Sequence, residues 1–517
     1  MSEKGFDGTI REGYGFQVPS LLIGAPLLKG AVASEARVRV PLAMMNRHGL
    51  IAGATGTGKT RTLQMLADQL SAAGVPVFLA DMKGDLTGIA APGVTNAKIE
   101  ERSRSIGVPF APAGAPVEFL SLTGASGTPI RATVSSFGPL LLARALDLNE
   151  TQQSVLSIVF KYCDDRGFLL LDLSDLRAVL QYLTGDGASE LADYGGMSKA
   201  TVGVLLREIM ELESQGADRF FGEPEFEVED LFREEGGRGV VSILELADLQ
   251  DRPALFTTFM MWLLASLYRE LPEAGDLDKP KLVFFFDEAH LLFDGASKPF
   301  LQQVEQVVKL IRSKGIGVFF VTQTPKDVPP DVLAQLGSRI QHALRAFTPQ
   351  DQKALKATAD TFPVSEHYDI PETLTSLGIG EALVTVLGPR GVPTPVAATL
   401  VAPPFSFMGP IPEEEFRRRV AASPLHVEYA KAIDRESARE VLAARAEEAA
   451  DATPPAGGGA APKGRARKPA AEAPDVGRQI GKALGSPLAR TVGRELVRGL
   501  FGVLGVRAPT TRRRRLW

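Results

Sequence analysis

The sequence predicts an α/β fold: a mostly parallel sheet carrying a helical insertion, followed by a helical or disordered C-terminal tail. Three observations predict it. First, a short apolar run at residues 48–52 passes through a glycine-rich turn into a segment where Leu63, Leu66, Ala67 and Leu70 recur at helical spacing. Second, apolar runs at 239–246, 281–287 and 317–322 alternate with helical runs at 253–271 and 300–314. That alternation belongs to a parallel sheet covered on both faces. Third, residues 137–232 show helical periodicity broken by turn signals at Asn149, Gly167, Gly185 to Gly187 and Gly195-Gly196. They read as an insertion in the sheet topology, with a separate helical domain as the alternative.

The remaining segments follow in order. Residues 1–40 carry short apolar stretches broken by Gly and Pro and predict a few strands on the edge of the core. The core itself runs over 41–402. Within it, 75–80 is a second strand ending in Asp81-Met-Lys-Gly-Asp85, and 340–347 and 381–387 are late strands. A polar run just past a strand lies where parallel sheets bind ligands. Residues 403–452 predict a polar helix rich in Glu, Arg and Ala, and 453–475 a Pro/Ala/Gly linker. In 476–517 Leu and Val recur among Lys and Arg, an amphipathic basic segment.

Composition narrows the class. At 517 residues, with 44% hydrophobic and 23% charged, the chain is an ordinary globular one. A lone Cys163 excludes an intrachain disulfide framework and fits a reducing compartment. The N-terminus shows no signal-peptide pattern and no apolar run is long enough to span a bilayer, so a cytoplasmic protein is expected. Net charge is −5, yet residues 461–517 hold 14 Lys and Arg against 3 Asp and Glu. The rest is therefore acidic, which argues against a broad nucleic-acid surface there. The basic tail suits nucleic acid or an anionic membrane.

The turn at residues 53–60 reads Gly-Ala-Thr-Gly-Thr-Gly-Lys-Thr, a complete GxxxxGK-Ser/Thr phosphate loop between strand and helix. Gly53, Ala54, Thr55, Gly56, Thr57 and Gly58 would wrap backbone N–H groups around the α- and β-phosphates. Lys59 would reach the β- and γ-phosphates, and the Thr60 hydroxyl would bind Mg²⁺. Arg61 follows on the same helix, whose positive end faces the anion. These residues imply a nucleoside triphosphate.

The apolar run at 281–286 closes on Asp287-Glu-Ala-His290. Asp287 at the strand's carboxyl end would hold Mg²⁺, and Glu288 would polarise an attacking water. The letters Asp-Glu-Ala-His also match a helicase box, but the other motifs of that superfamily are absent, so His290 reads as a local packing or hydrogen-bonding residue. Gln323, after the strand at 317–322, would sense the γ-phosphate and the water. Arg312 is the first candidate for a transition-state arginine supplied in trans, with Arg339 and Arg345 as alternatives.

This order of motifs resembles the HerA/FtsK superfamily of hexameric P-loop translocases, and within it the bacterial HerA-like ATPases of the YjgR type. Asn46-Arg-His-Gly before the loop, residues 53–60 and 81–85, Phe286 to His290, Ile311 to Gly315 and Thr322-Gln-Thr-Pro325 carry the resemblance, over roughly residues 20–402. It implies a RecA-like core assembled as a ring, ATP and Mg²⁺ at subunit interfaces, and force applied to DNA in the pore. It assigns nucleotide and hydrolysis roles to Lys59, Thr60, Asp287, Glu288 and Gln323, the trans role to Arg312, and an upstream nucleotide-site position to Arg47. HerA itself begins with a β-barrel that docks a nuclease; 40 residues are too few for one, which argues against a nuclease partner. The function read is Mg-dependent ATP hydrolysis by a homo-oligomeric motor acting on DNA. The alternative is a regulatory or protein-remodelling ATPase without DNA, placed at a membrane surface by its tail.

Overall fold

The computed structural model describes residues 3–451 apart from 295 and 297. Its centre is the strand Leu282–Phe286, Leu-Val-Phe-Phe-Phe, in which every residue is buried. Such a sequence has no face for water, and the structure covers both. Residues alternate across the pleat. Phe284 and Phe286 join a core with Leu50, Ala52, Phe78, Ala80, Leu244 and Phe320. Val283 and Phe285 join the opposite one with Ile51, Val77, Leu79, Ile243 and Phe319.

The strand belongs to a 13-stranded sheet. Its parallel part runs Ser338–His342, Gly49–Ala52, Ile316–Thr322, Leu282–Phe286, Val77–Asp81, Val241–Glu245, Val117–Ser121 and Thr128–Pro129. Registers pair Ala52 with Thr322, Phe286 with Phe320 and Ala80, and Asp81 with Glu245. Their carboxyl ends therefore form one edge. Beyond Ser338–His342 the sheet continues antiparallel through Glu381–Thr385, Ala397–Val401 and Ser20–Leu28.

The helix Lys59–Ala72 covers the second core face with Leu63, Leu66, Ala67 and Leu70. The first face is covered by Pro253–Glu270 and by helices Val134–Ala145, Glu150–Arg166, Leu173–Thr184 and Lys199–Ser214. These four lie in the chain between two neighbouring strands and share that core continuously with the sheet. Their ends follow local chemistry: Asn149 caps Glu150–Arg166 in a capping box, and Gly167 closes it in the left-handed region.

Several elements differ from the sequence reading. Residues before Ser20 form a helix, Glu3–Tyr14, not a strand. Phe6, Ile10 and Tyr14 are all buried along one helical face, a stripe masked by the intervening glycines. The strands Val117–Ser121 and Ala397–Val401 were not anticipated. The strand expected at 340–347 is Ser338–His342, because the chain turns at Ala343, whose carbonyl accepts the Ala54 N–H at 2.9 Å. The polar region after 403 is not one helix but three, Glu413–Ala422, Pro424–Tyr429 and Ala438–Asp451. Pro424 at a first turn, capped by Ser423, cannot continue the preceding helix. The linker at 453–475 and the basic segment at 476–517 lie outside the described residues. Among the described residues, no helix is long and apolar enough to cross a membrane.

Candidate nucleotide-hydrolysis site

The strand Gly49–Ala52 delivers the chain to the carboxyl edge, and the phosphate loop turns there into helix Lys59–Ala72. Gly53 donates its N–H to the carbonyls of Thr322 and Gln323, both at 3.2 Å, so the loop starts from the neighbouring strand's end. Gly53, Gly56 and Gly58 have φ of 154°, 77° and 115°. At Gly53 a Cβ would sit 2.5 Å from that of His342, and at Gly58 one would sit 3.3 Å from the Gly380 backbone. At Gly53 space as well as conformation requires glycine, whereas at Gly58 the left-handed backbone does.

Lys59 is buried and donates to the carbonyls of Gly53 at 2.7 Å and Ala54 at 3.4 Å. Burial pushes its ammonium below the ordinary lysine value, while Glu288 and Asp287 oppose that shift. Those two carboxylates end the next strand but one and are themselves buried. Asp287 accepts the Glu288 N–H at 3.0 Å through Oδ1, and its buried Oδ2 has no hydrogen-bond partner among the described residues. Burial, then the adjacent Glu288, pushes Asp287 up to about 7. Glu288 has φ of 48°, a left-handed conformation rare for a residue with a long side chain. Its Oε1 accepts from the Lys83 ammonium, and its Oε2 lies 3.3 Å from Nδ1 of His290.

The other sequence-predicted residues divide by edge. Thr55, Gly56, Thr57, Thr60 and Arg61 lie on the loop or first helical turn; Arg61 donates to Gln64 at 2.8 Å. Gln323 is exposed at the carboxyl edge and, with His290, lines a groove of about 680 Å³. Arg312 and Arg47 stand at the amino ends of their strands, on the edge away from this chain's own loop. Arg312 is exposed in the turn Arg312–Lys314, and Arg47 faces Asp276 at 3.6 Å. The structure does not bring either to the Lys59 site of the same chain. Arg339 reaches the Thr361 carbonyl at 3.4 Å, whereas Arg345 is exposed just beyond the carboxyl end of its strand.

Two residues at the site escaped the sequence reading of individual roles. His342 sits behind Gly53, and Lys83 holds Glu288. Lys83 lies within the polar run 81–85, which marks its position but not its partner, Glu288. His342 carried no signal, since its relation to the loop depends on a strand pairing that single-sequence patterns do not encode.

Mg²⁺ bound with a nucleotide uses one or two carboxylates plus phosphate oxygens, not a cage of protein ligands. The orphaned Oδ2 of Asp287 and the hydroxyl of Thr60 fit that need, and among the described residues there is no cluster of three acidic, His or Cys side chains for a metal.

A family model described as "Helicase HerA-like C-terminal" matches residues 27–509. The chain belongs to that family. The resemblance read from the motifs therefore holds at the level of the HerA-like family. A "DNA double-strand break repair helicase HerA" of Sulfurisphaera tokodaii is 24% identical over 359 residues, covering 68% of this chain and 65% of the relative. A probable helicase of Methanocaldococcus jannaschii is 31% identical over 154 residues, 28% of each chain. This HerA-like chain therefore spans less than two thirds of the length of these curated relatives. The bacterial conjugative coupling protein TrwB, unbound, matches with a TM-score of 0.51 at 15% identity, over 78% of this chain and 93% of that one. TrwB in complex with the non-hydrolysable ATP analogue ADPNP gives 0.51 at 16% identity, over 78% and 94%. These likenesses show the fold, a RecA-like P-loop NTPase core.

Proposed function

We propose that this HerA-like chain hydrolyses Mg-ATP within a ring of identical copies, and that the ring moves DNA. One observation carries the hydrolysis: Lys59, Asp287, Glu288 and Gln323 come from three adjacent parallel strands to a single edge. In the proposed reaction, Lys59 exchanges the Gly53 and Ala54 carbonyls for phosphate oxygens, and loop N–H groups hold the α- and β-phosphates. Thr60 and Asp287 would hold Mg²⁺, which supplies charge neutralisation on the phosphates. Glu288 accepts a proton from the attacking water, and Gln323 orients that water against the γ-phosphate.

The ring reading is supported by Arg312, exposed on the edge that its own loop does not occupy. A neighbour's loop facing that edge would receive the arginine in trans. Support for DNA comes from the likeness to the DNA double-strand break repair helicase HerA of Sulfurisphaera tokodaii. The acidic body leaves basic residues for a pore to be concentrated locally. The test is ATPase activity of the full chain with and without single- and double-stranded DNA, alongside a mass measurement of the assembly. Stimulation by DNA in a ring-sized particle supports the proposal. DNA-independent turnover stimulated instead by a protein partner supports a remodelling ATPase, and a monomer that turns over fully excludes the ring.

A further inference from the structure

We propose that Lys83 is a positioning residue for hydrolysis: its ammonium fixes one oxygen of Glu288 so that the other is presented to the attacking water. The inference rests on the hydrolytic reading of Glu288 given above. Lys83 reaches across from the loop after Val77–Asp81, the strand beside the one that ends in Asp287. Its Nζ donates to Oε1 of Glu288. The opposite oxygen, Oε2, is buried without a hydrogen bond among the described residues, and Nδ1 of His290 lies 3.3 Å from it. One oxygen is therefore tied and one is left with a free lone pair, which is the arrangement a general base needs.

The base of Lys83 is itself held. The Asp81 carboxylate accepts the N–H groups of Lys83 at 3.0 Å, Gly84 at 2.8 Å and Leu86 at 2.8 Å, closing the turn. Gln250 donates to the Met82 carbonyl at 2.7 Å and anchors the same turn from the next strand's loop. The need for such a fixture is plain at the other end of the pair. Glu288 leaves its strand in a left-handed conformation, so its backbone gives the side chain no regular strand direction. An ammonium on a braced turn supplies the missing constraint. Lys83 is half exposed, so as a mere ion pair it contributes little to stability. Its effect belongs in turnover.

The experiment compares Lys83→Met, Lys83→Arg, Glu288→Gln and the Lys83→Met/Glu288→Gln pair in the full chain. It measures kcat and KM for ATP, and the Kd of a fluorescent ATP analogue. Misplacing a reacting group by about 1 Å costs about 10²-fold in rate. Lys83→Met is expected to lose kcat on that scale with nucleotide Kd unchanged, and Lys83→Arg to recover most of it. In the Glu288→Gln background Lys83→Met should cost nothing further, because Lys83 acts through Glu288. A raised Kd with unchanged kcat would make Lys83 a phosphate ligand and overturn the proposal. A gain in kcat, or losses that multiply in the double variant, would also overturn it. Wild-type turnover by Glu288→Gln would instead remove the catalytic reading of Glu288, a separate failure seen in a separate variant.

Discussion

Nε2 of His342 lies 2.9 Å from the hydroxyl of Thr62, one turn into the helix that follows the phosphate loop. Nδ1 of the same ring lies 2.8 Å from the Glu381 carbonyl oxygen, which can only accept. Neutral His342 therefore carries its proton on Nδ1 and accepts from Thr62 through Nε2. Burial holds its pKa down at about 4. Because the unfolded chain takes up this proton near 6.5 and the folded one near 4, the stability His342 permits is full above 6.5 and declines as pH falls through that window. His342→Gln should flatten this part of the stability–pH curve relative to wild type, by about 1–3 kcal/mol between pH 6.5 and 4. Urea unfolding at a series of pH values reads the difference.

The same histidine makes Gly53 irreplaceable. Gly53→Ala forces a Cβ to within 2.5 Å of the His342 Cβ at a φ of 154°. Loss of ATP binding is expected together with a stability cost of about 1–3 kcal/mol. Gly56→Ala, whose Cβ would meet nothing within 4 Å, should show the smaller effect. Nucleotide-dependent thermal shifts of the two variants test the ranking.

Glu245 ends the strand beside Asp81 with its Oε1 buried and unpartnered among the described residues. Burial, then Asp81, pushes its carboxyl up to about 9. Here the folded pKa lies above the unfolded one. The fold keeps a proton that the unfolded chain releases above about 4.5, so stability falls as pH rises toward 9. Glu245→Gln should be more stable than wild type at pH 7 to 8 by about 1–3 kcal/mol and no more stable at pH 4. A Tm difference independent of pH would contradict this.

How much was legible in the sequence follows from where each signal lives. Lys59, Asp287 and Glu288 could be read because each sits inside a local pattern: a glycine turn after an apolar strand, or a carboxylate pair closing a Leu-Val-Phe-Phe-Phe run. The same holds for the central strands, whose residues are buried on both faces and hence continuously apolar. Val117–Ser121 was missed because Glu118 interrupts it. Glu118 is nonetheless buried there, paired with Arg233 at 2.9 Å and bonded to Ser423, partners distant in sequence. Ala397–Val401 hid behind small residues, Ala-Ala-Thr-Leu-Val. Lys83, His342 and the edge on which Arg312 stands depend on which strands are neighbours, and pairing order is not written in any local window.

If Arg312 serves a neighbour's site, subunits of Arg312→Ala and Glu288→Gln should complement each other. Each variant alone should be slow, while a mixture under subunit exchange regains part of the wild-type ATPase, since some interfaces then carry both an intact Arg312 and an intact Glu288. Titrating one variant into the other at fixed total concentration reads this. Activity that never exceeds the weighted mean of the two would place the arginine elsewhere, with Arg345, already on the carboxyl edge, next in line.

The most direct measurement follows a single turnover of radiolabelled ATP on the full chain with Mg²⁺, for wild type, Lys59→Ala and Glu288→Gln. The account predicts that wild type releases phosphate, that Lys59→Ala retains no nucleotide, and that Glu288→Gln holds ATP but cleaves it about 10² to 10⁴ times more slowly. Phosphate release at the wild-type rate by Glu288→Gln, or tight ATP retention by Lys59→Ala, would contradict it.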